Sequence, residues 1–239
     1  MVRPPLRIGS LELGTRPRVA VPFADRATRA EIAALRTQGL DVAELRVDHF
    51  ARFDAEHVLA QVDLFAGVPL LATIRSAAEG GGWKGPEAER LALFRALLPR
   101  VGAADVEIGS EIARDVVAAA RAAGVLSIAS FHDFAKTPDA AALEAVVARA
   151  RALGADVVKI ATAVAAPGDV RTLARVLVTT NDVGMIAIGM GARAVATRVI
   201  FPALGSLLTY AHAGDATAPG QIPLAEMTAL LARLFPGYT

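Results

Sequence analysis

The sequence predicts a (β/α)8 TIM barrel, and three observations carry the prediction. Short apolar runs alternate with Ala-, Leu- and Arg-rich stretches of helical spacing along the whole chain. Eight such runs fall within 239 residues, about 30 residues per unit, the length of one strand–helix repeat. The runs are nearly continuous in hydrophobicity, as expected of parallel strands covered by helices on one face and packed inside on the other. Strict alternation of this kind specifies a parallel sheet. Eight units in a chain of this length favour a closed barrel over an open doubly wound sheet. The chain reads as one catalytic domain over 1–239, with no linker, low-complexity tract or like-charge block dividing it.

The elements follow in order. Segment 6–13 alternates loosely and predicts a small hairpin across one end of the barrel. Strands are predicted over 18–23, 42–47, 69–74, 105–108, 125–131, 156–161, 184–189 and 207–211. Helices are predicted over 28–38, 54–65, 86–100, 110–123, 138–153, 169–179 and 224–234, with a weaker helical pattern over 192–200. Pro86 and Pro138 suit a first helical turn, where a missing N–H costs nothing. Gly39, Gly102, Gly124 and Gly154 suit helix exits.

Composition excludes several function classes. The chain is 54% hydrophobic and 21% charged, enough to fill a large core and incompatible with general disorder. Its 25 basic and 24 acidic residues nearly balance, which argues against a nucleic-acid footprint. With no Cys, a disulfide scaffold, a zinc–thiolate site and a thiol nucleophile are excluded, and a reducing cytoplasm is the natural compartment. Mean hydropathy is high at +0.45. Yet the longest uncharged stretch, 199–214, is shorter than the ~18 residues of a spanning helix and contains Pro202. The opening MVRPPLRIGSLELG has no leader-like apolar core followed by a cleavage site. No membrane association is expected.

Charged residues inside the strands point to a site. Glu44, Arg46 and Asp48 alternate along the second predicted strand and share a face. Arg75 ends the third, Glu107 the fourth and His132 the fifth, while Lys159 lies within DVVKIA of the sixth. These positions cluster toward C-terminal strand ends, where such barrels hold their active sites. Lys159 is the sharpest single residue, one of only three lysines with Lys84 and Lys136. Burial disfavours its charged form, so its pKa is expected to fall, and a neutral amine attacks carbonyls to form an imine. The plainer reading is a lysine that snorkels to the strand end or pairs with Glu107. His132 suits a general acid/base near neutral pH, or simply a hydrogen-bonded strand-end histidine. Arg46, Arg75 and Arg198 could clamp a carboxylate bidentately, or form internal ion pairs with Glu44, Glu79 or Glu107. His49, His57 and His212 lack metal-ligand spacing, and His49 and His57 read as surface or packing residues, so no metal is called for. GGGWKG at 80–85 matches a dinucleotide fingerprint with Asp105 twenty residues beyond it. The glycines, however, do not open directly from the strand into the helix, as that fingerprint requires. They read as a flexible loop over the site, and TAPGQIP as a second mobile loop.

Taken together, these motifs resemble the type I 3-dehydroquinate dehydratases, Schiff-base enzymes of the shikimate pathway and hence of aromatic amino acid biosynthesis. The segments that carry the resemblance are ELRVDHF at 44–50, TIRSAAEGG at 73–81, DVEIGSE at 105–111, SFHDFAKTP at 130–138 and VKIA at 158–161. MG at 190–191, TR at 197–198, GSLLTYA at 205–211 and APGQ at 218–221 complete the set. The resemblance implies a (β/α)8 barrel, usually a homodimer, with 3-dehydroquinate as substrate and no cofactor. It implies that Lys159 forms an imine with the C3 ketone, that His132 removes the C2 proton and later protonates the departing C1 hydroxyl, and that Glu79 orients and tunes His132. Arg198 would hold the substrate carboxylate. Glu44, Arg46, Arg75, Thr217 and Gln221 would bind ring hydroxyls and close the site. Three departures stand out: Ala194 where the family tends to have Gly, Thr197 and Thr217 where it has Ser, and a first strand, VAVPF, without a hydroxyl. A class I aldolase on the same barrel and a non-catalytic quinate-sensing module are competing readings. The loops MGARAVATR and DATAPGQ are not Gly-rich phosphate cradles, which disfavours the aldolase. A sensing module would have no need of both Lys159 and His132.

Overall fold

The computed structural model describes residues 5–214 and 220–238. Its first element is the expected hairpin, β1 (Arg7–Ile8) and β2 (Leu11–Glu12), paired antiparallel. Strand and helix then alternate: β3 (Val19–Phe23), α1 (Arg29–Thr37), β4 (Val42–Arg46), α2 (Ala55–Val62), β5 (Leu70–Thr73), α3 (Glu87–Leu97), β6 (Ala103–Glu107) and α4 (Ala113–Ala122). The second half continues through β7 (Leu126–Asp133), α5 (Ala140–Leu153), β8 (Val157–Ala163), α6 (Pro167–Thr179), β9 (Gly184–Met190), α7 (Thr197–Ala203), β10 (Thr209–Tyr210) and α8 (Leu224–Leu234). Strands β3 to β10 form one parallel sheet in which β10 pairs with β3, and the others follow in sequence order. Closure is nearly complete, because the Leu207 N–H donates to the Met185 carbonyl across the seam between β9 and β10.

Helix starts follow local chemistry. Thr28 and Glu31 cap α1 reciprocally, and Asp54 and Asp139 accept from the third backbone N–H of α2 and α5, each satisfying a donor with no intrahelical partner. Gly154 ends α5 at φ 75°, a left-handed conformation that glycine adopts without strain. Gly102 is there for another reason than the helix exit predicted for it: a side chain at this position would strike the backbone of Ile8 and Gly9, so its absence lets the hairpin lie against the start of β6. The weak helical pattern over 192–200 resolves into a short 3-10 turn, Ala192–Ala194, followed by α7 at Thr197–Ala203.

Two apolar layers result. The larger packs the outward faces of the strands against the helices. The smaller fills the barrel interior with Ala20, Val42, Leu71, Ala103, Ile128 and Val157, closed off below by Ile8 and Leu13 of the hairpin region. No described helix is long and apolar enough to cross a membrane.

Candidate active site

Side chains two apart on a strand share a face, so the strands can be climbed one pleat at a time. Above Val42, Leu71, Ala103, Ile128 and Val157 stand Glu44, Thr73, Asp105, Ser130 and Lys159. One pleat higher come Arg46, Arg75, Glu107, His132 and Ala161. An apolar floor thus gives way to two polar tiers at the C-terminal end of the barrel. A cavity of about 220 Å3 opens there, lined by Glu44, Arg46, Arg75, Glu79, His132, Lys159, Arg198 and Gln221 among others. Eight of the nine residues singled out from the sequence therefore meet at one cavity. Thr217 lies outside the described residues.

Lys159 is buried at the centre. Its Nζ donates to Asp105 Oδ2 at 2.9 Å, lies 3.4 Å from Glu44 Oε1 and sits 4.6 Å from the centroid of the Tyr210 ring. The expected fall in its pKa is not found. Burial alone would lower it, but the Asp105 and Glu44 carboxylates outweigh burial and hold the ammonium well above the ordinary lysine range, as close opposite charges do. Nor does Lys159 pair with Glu107, whose carboxylate is engaged by Arg75 and Arg90.

Asp105 is the residue the sequence reading passed over. Its Oδ1 accepts from Arg75 Nη2 at 2.7 Å and from the Ser130 hydroxyl at 2.6 Å, while Oδ2 takes Lys159. Burial works against its ionisation, yet Arg75 and Lys159 keep it far below the usual carboxylate range. The signal was available, since Asp105 and Glu107 stand two apart in one strand. It was obscured because the predicted strand began at Asp105, two residues later than the actual start at Ala103.

His132 and Glu79 form a second unit. Glu79 lies in the 3-10 turn Ala77–Glu79 that follows β5. Its Oε2 accepts from both the backbone N–H and Nδ1 of His132, each at 3.0 Å. That contact assigns the imidazole proton to Nδ1 and leaves Nε2 as the free lone pair. Burial, reinforced by the positive charges of Arg75 and Lys159, holds His132 well below its ordinary value. Burial pushes Glu79 up to about 7. The group titrating near neutrality is therefore Glu79 rather than the histidine.

The arginines divide by role. Arg75 is locked between Ser130, Asp105 and Glu107. Arg46 grips Asp48 bidentately at 2.9 and 2.7 Å and also reaches His49 Nε2, so His49 borders the cavity instead of merely packing at the surface. Of the ion pairs expected for these arginines with Glu44, Glu79 or Glu107, the pair of Arg75 with Glu107 is present, at 3.2 Å. Arg198 donates from Nε to the Gly220 carbonyl at 2.6 Å and from Nη1 to the Tyr210 carbonyl at 3.3 Å, and burial draws it down to about 10.

The glycine run is not a loose flap. Trp83 N–H donates to the Arg75 carbonyl, Ala77 N–H to the Trp83 carbonyl, and Gly82 N–H to Asp48 Oδ2, so the turn is fastened to Arg75 of the upper tier and to Asp48, the partner of Arg46. Among the described residues, no group of three or more His, Asp or Glu side chains could hold a metal ion.

The model of type I 3-dehydroquinase matches residues 19–236 of the chain. The chain belongs to the type I 3-dehydroquinase family. A 3-dehydroquinate dehydratase of Methanococcoides burtonii is 32% identical, covering 93% of this chain and 96% of its own. One from Thermococcus onnurineus is 35% identical, covering 87% and 94%. The crystal structure of the Geobacillus kaustophilus 3-dehydroquinate dehydratase superposes with a TM-score of 0.89 at 29% identity, covering 97% of this chain and 96% of that one. A type I 3-dehydroquinate dehydratase structure from Clostridium difficile, which carries covalently modified comenic acid, gives 0.88 at 29%, with 98% of each chain covered. The activity of a type I 3-dehydroquinase is that of a hydro-lyase: 3-dehydroquinate loses water in a step of the shikimate pathway.

Proposed function

We propose that this chain converts 3-dehydroquinate to 3-dehydroshikimate through an imine on Lys159, with His132 moving the protons. The observation that carries the reading is the lone buried lysine held between Asp105 and Glu44 at the head of an apolar floor.

The charge around Lys159 favours one stage of such a reaction over another. Attack on the C3 ketone needs a neutral amine, so a proton must leave Nζ once substrate is bound, and the neighbouring carboxylates are the nearest acceptors. After attack, loss of water from the carbinolamine leaves a cationic iminium. The carboxylates that oppose the free amine then stabilise this cation, which is the electron sink for the C2–H bond. His132 Nε2 takes the C2 proton. The electron pair left at C2 then expels the C1 hydroxyl, which departs as water with the proton from His132. Hydrolysis of the conjugated iminium frees 3-dehydroshikimate and restores Lys159. One imidazole thus serves as base and then as acid.

Arg198 is the group we assign to the substrate carboxylate: an anion at its guanidinium would offset the burial that now draws it down. Arg75 is assigned a different role from hydroxyl binding, since both its terminal nitrogens are engaged. It organises Asp105 and Ser130. Glu44, Arg46 and Gln221 remain the proposed hydroxyl contacts, with Thr217 closing the set. On the same reading the barrel is the whole catalytic domain and works without cofactor or metal. We also assign it to the cytoplasm as a homodimer.

Borohydride added during turnover tests the proposal. Inactivation is expected, with the mass of reduced substrate added at Lys159. Modification at Lys84 or Lys136, or full activity in Lys159→Ala, would refute it.

A further inference from the structure

Glu107 and Arg90 touch neither the cavity nor Lys159, yet both are buried and charged. Arg90 projects from α3. Its Nη1 donates to the Ile74 carbonyl at 3.0 Å and to Glu107 Oε2 at 2.8 Å, and its Nη2 meets Glu87 and Ser110 at 2.6 Å each. The other Glu107 oxygen, Oε1, accepts from the Ser76 N–H at 2.8 Å and lies 3.2 Å from Arg75 Nη1. One carboxylate therefore joins a helix on the outside of the barrel to two things inside it. The first is Arg75, which fixes Asp105 and through it Lys159. The second is Ser76, the residue from which the turn bearing Glu79 begins. Five alternating charges run in line: Arg90, Glu107, Arg75, Asp105 and Lys159.

A buried pair of this kind is a poor source of stability, because desolvation offsets most of the Coulombic gain and apolar replacements are often no less stable. Its geometry suits positioning better. The turn bearing Glu79 is a single 3-10 step, and Glu107 accepts a hydrogen bond from Ser76, the residue that leads into it.

We propose that Glu107, steadied by Arg90, is a positioning residue for catalysis: it sets the placement of the Glu79 turn against His132 and of Arg75 against Asp105. The inference rests on the roles given above to His132, Glu79 and Lys159. Glu107 also adds a negative charge close enough to Glu79 to raise its pKa, and that provides a readout that a purely structural role would not move.

The test uses the full chain with two changes, Glu107→Gln alone and Glu107→Gln with Arg90→Met. Both variants lose the carboxylate's ion pair with Arg75 and hold the Ser76 N–H through a neutral amide oxygen, a weaker acceptor than a carboxylate, and the double change leaves no charge of the pair unmatched. Steady-state rates are measured across pH 5–9, alongside thermal unfolding and borohydride trapping. We expect kcat to fall at least tenfold with KM within about threefold. The acid limb of kcat/KM, expected where Glu79 titrates, should lie at lower pH than in the parent, because a like charge beside Glu79 has gone. Thermal unfolding at each pH separates a moved limb from a folded fraction that changes with pH. Trapping at Lys159 should persist, since Asp105 and Glu44 still hold it. A parent-like kcat and limb in the folded double variant would overturn the proposal. So would a lowered kcat with an unmoved limb, or failure of both variants to fold, which would assign the pair to the fold alone. Absence of trapping in the parent would instead overturn the Lys159 reading, so the two failures are distinguishable.

Discussion

At the N-terminal ends of the strands the barrel interior holds Val42, Leu71, Ala103, Ile128 and Val157, pressed under Ile8 and Leu13. One pleat further along the same five strands stand Glu44, Thr73, Asp105, Ser130 and Lys159. The lower region is held by burial, which is additive and tolerant of a changed methyl group. The upper is held by compensation, in which each charge is bearable only because a neighbour answers it. Substitutions in the two regions should therefore fail differently. Above, a change should disable the chemistry first, with a further cost in stability wherever it strips a buried charge of its partner; below, it should loosen the protein and leave its chemistry intact.

The largest effect expected above is at His132. His132→Ala should fold normally yet lose roughly 10²–10⁴-fold in kcat, the worth of one well-placed acid/base group. Covalent adduct at Lys159 should accumulate by mass spectrometry while little enone appears in the ultraviolet; turnover near the parent rate would remove the histidine from the mechanism. Asp105→Asn comes next. Losing an opposite charge this close should lower the Lys159 pKa, read from the pH dependence of trapping. The iminium loses the same stabilising charge, so kcat should drop about tenfold or more although the amine is now easier to deprotonate. A faster enzyme would show that attack, rather than iminium chemistry, limits the rate. Arg198→Lys should raise KM about tenfold and change kcat less, because an ammonium cannot reproduce a two-point grip on a carboxylate; an unchanged KM would move the carboxylate to Arg46. The smallest effect belongs to the floor. Ile128→Val should cost about 0.5–1.5 kcal/mol of stability by chemical denaturation while kcat and the pH profile stay at parent values. A shifted profile there would mean that the two regions are mechanically coupled.

Much of this was legible in the chain. Continuous apolar runs of strand length gave the parallel barrel, and a lysine inside one such run marked the site before any geometry was known. What escaped depended on partners far away in sequence. Whether burial or compensation decides the Lys159 pKa depends on Asp105 and Glu44, which lie 54 and 115 residues away. Nothing local in DVVKIA contains that sign. Arg90 sits in a helix, where an arginine ordinarily faces water, and only the convergence of Ile74, Glu107 and Ser110 shows why this one is buried. The glycine run looks loose because glycine permits looseness; the N–H groups of Gly82 and Trp83 that fasten it donate to Asp48 and Arg75, far away in sequence for Asp48.

That turn has a consequence for how freely this site can drift. A β-carbon on Gly81 would collide with the Arg75 carbonyl, and one on Gly82 with the Asp48 carbonyl. Both obstacles are main chain, which cannot swing aside as a side chain can. Both belong to residues that anchor the polar tiers. These two codons should therefore be among the least permissive in a saturation library, although neither encodes a functional group. The specificity of the pocket would have to diversify around them, through the residues that line the cavity mouth.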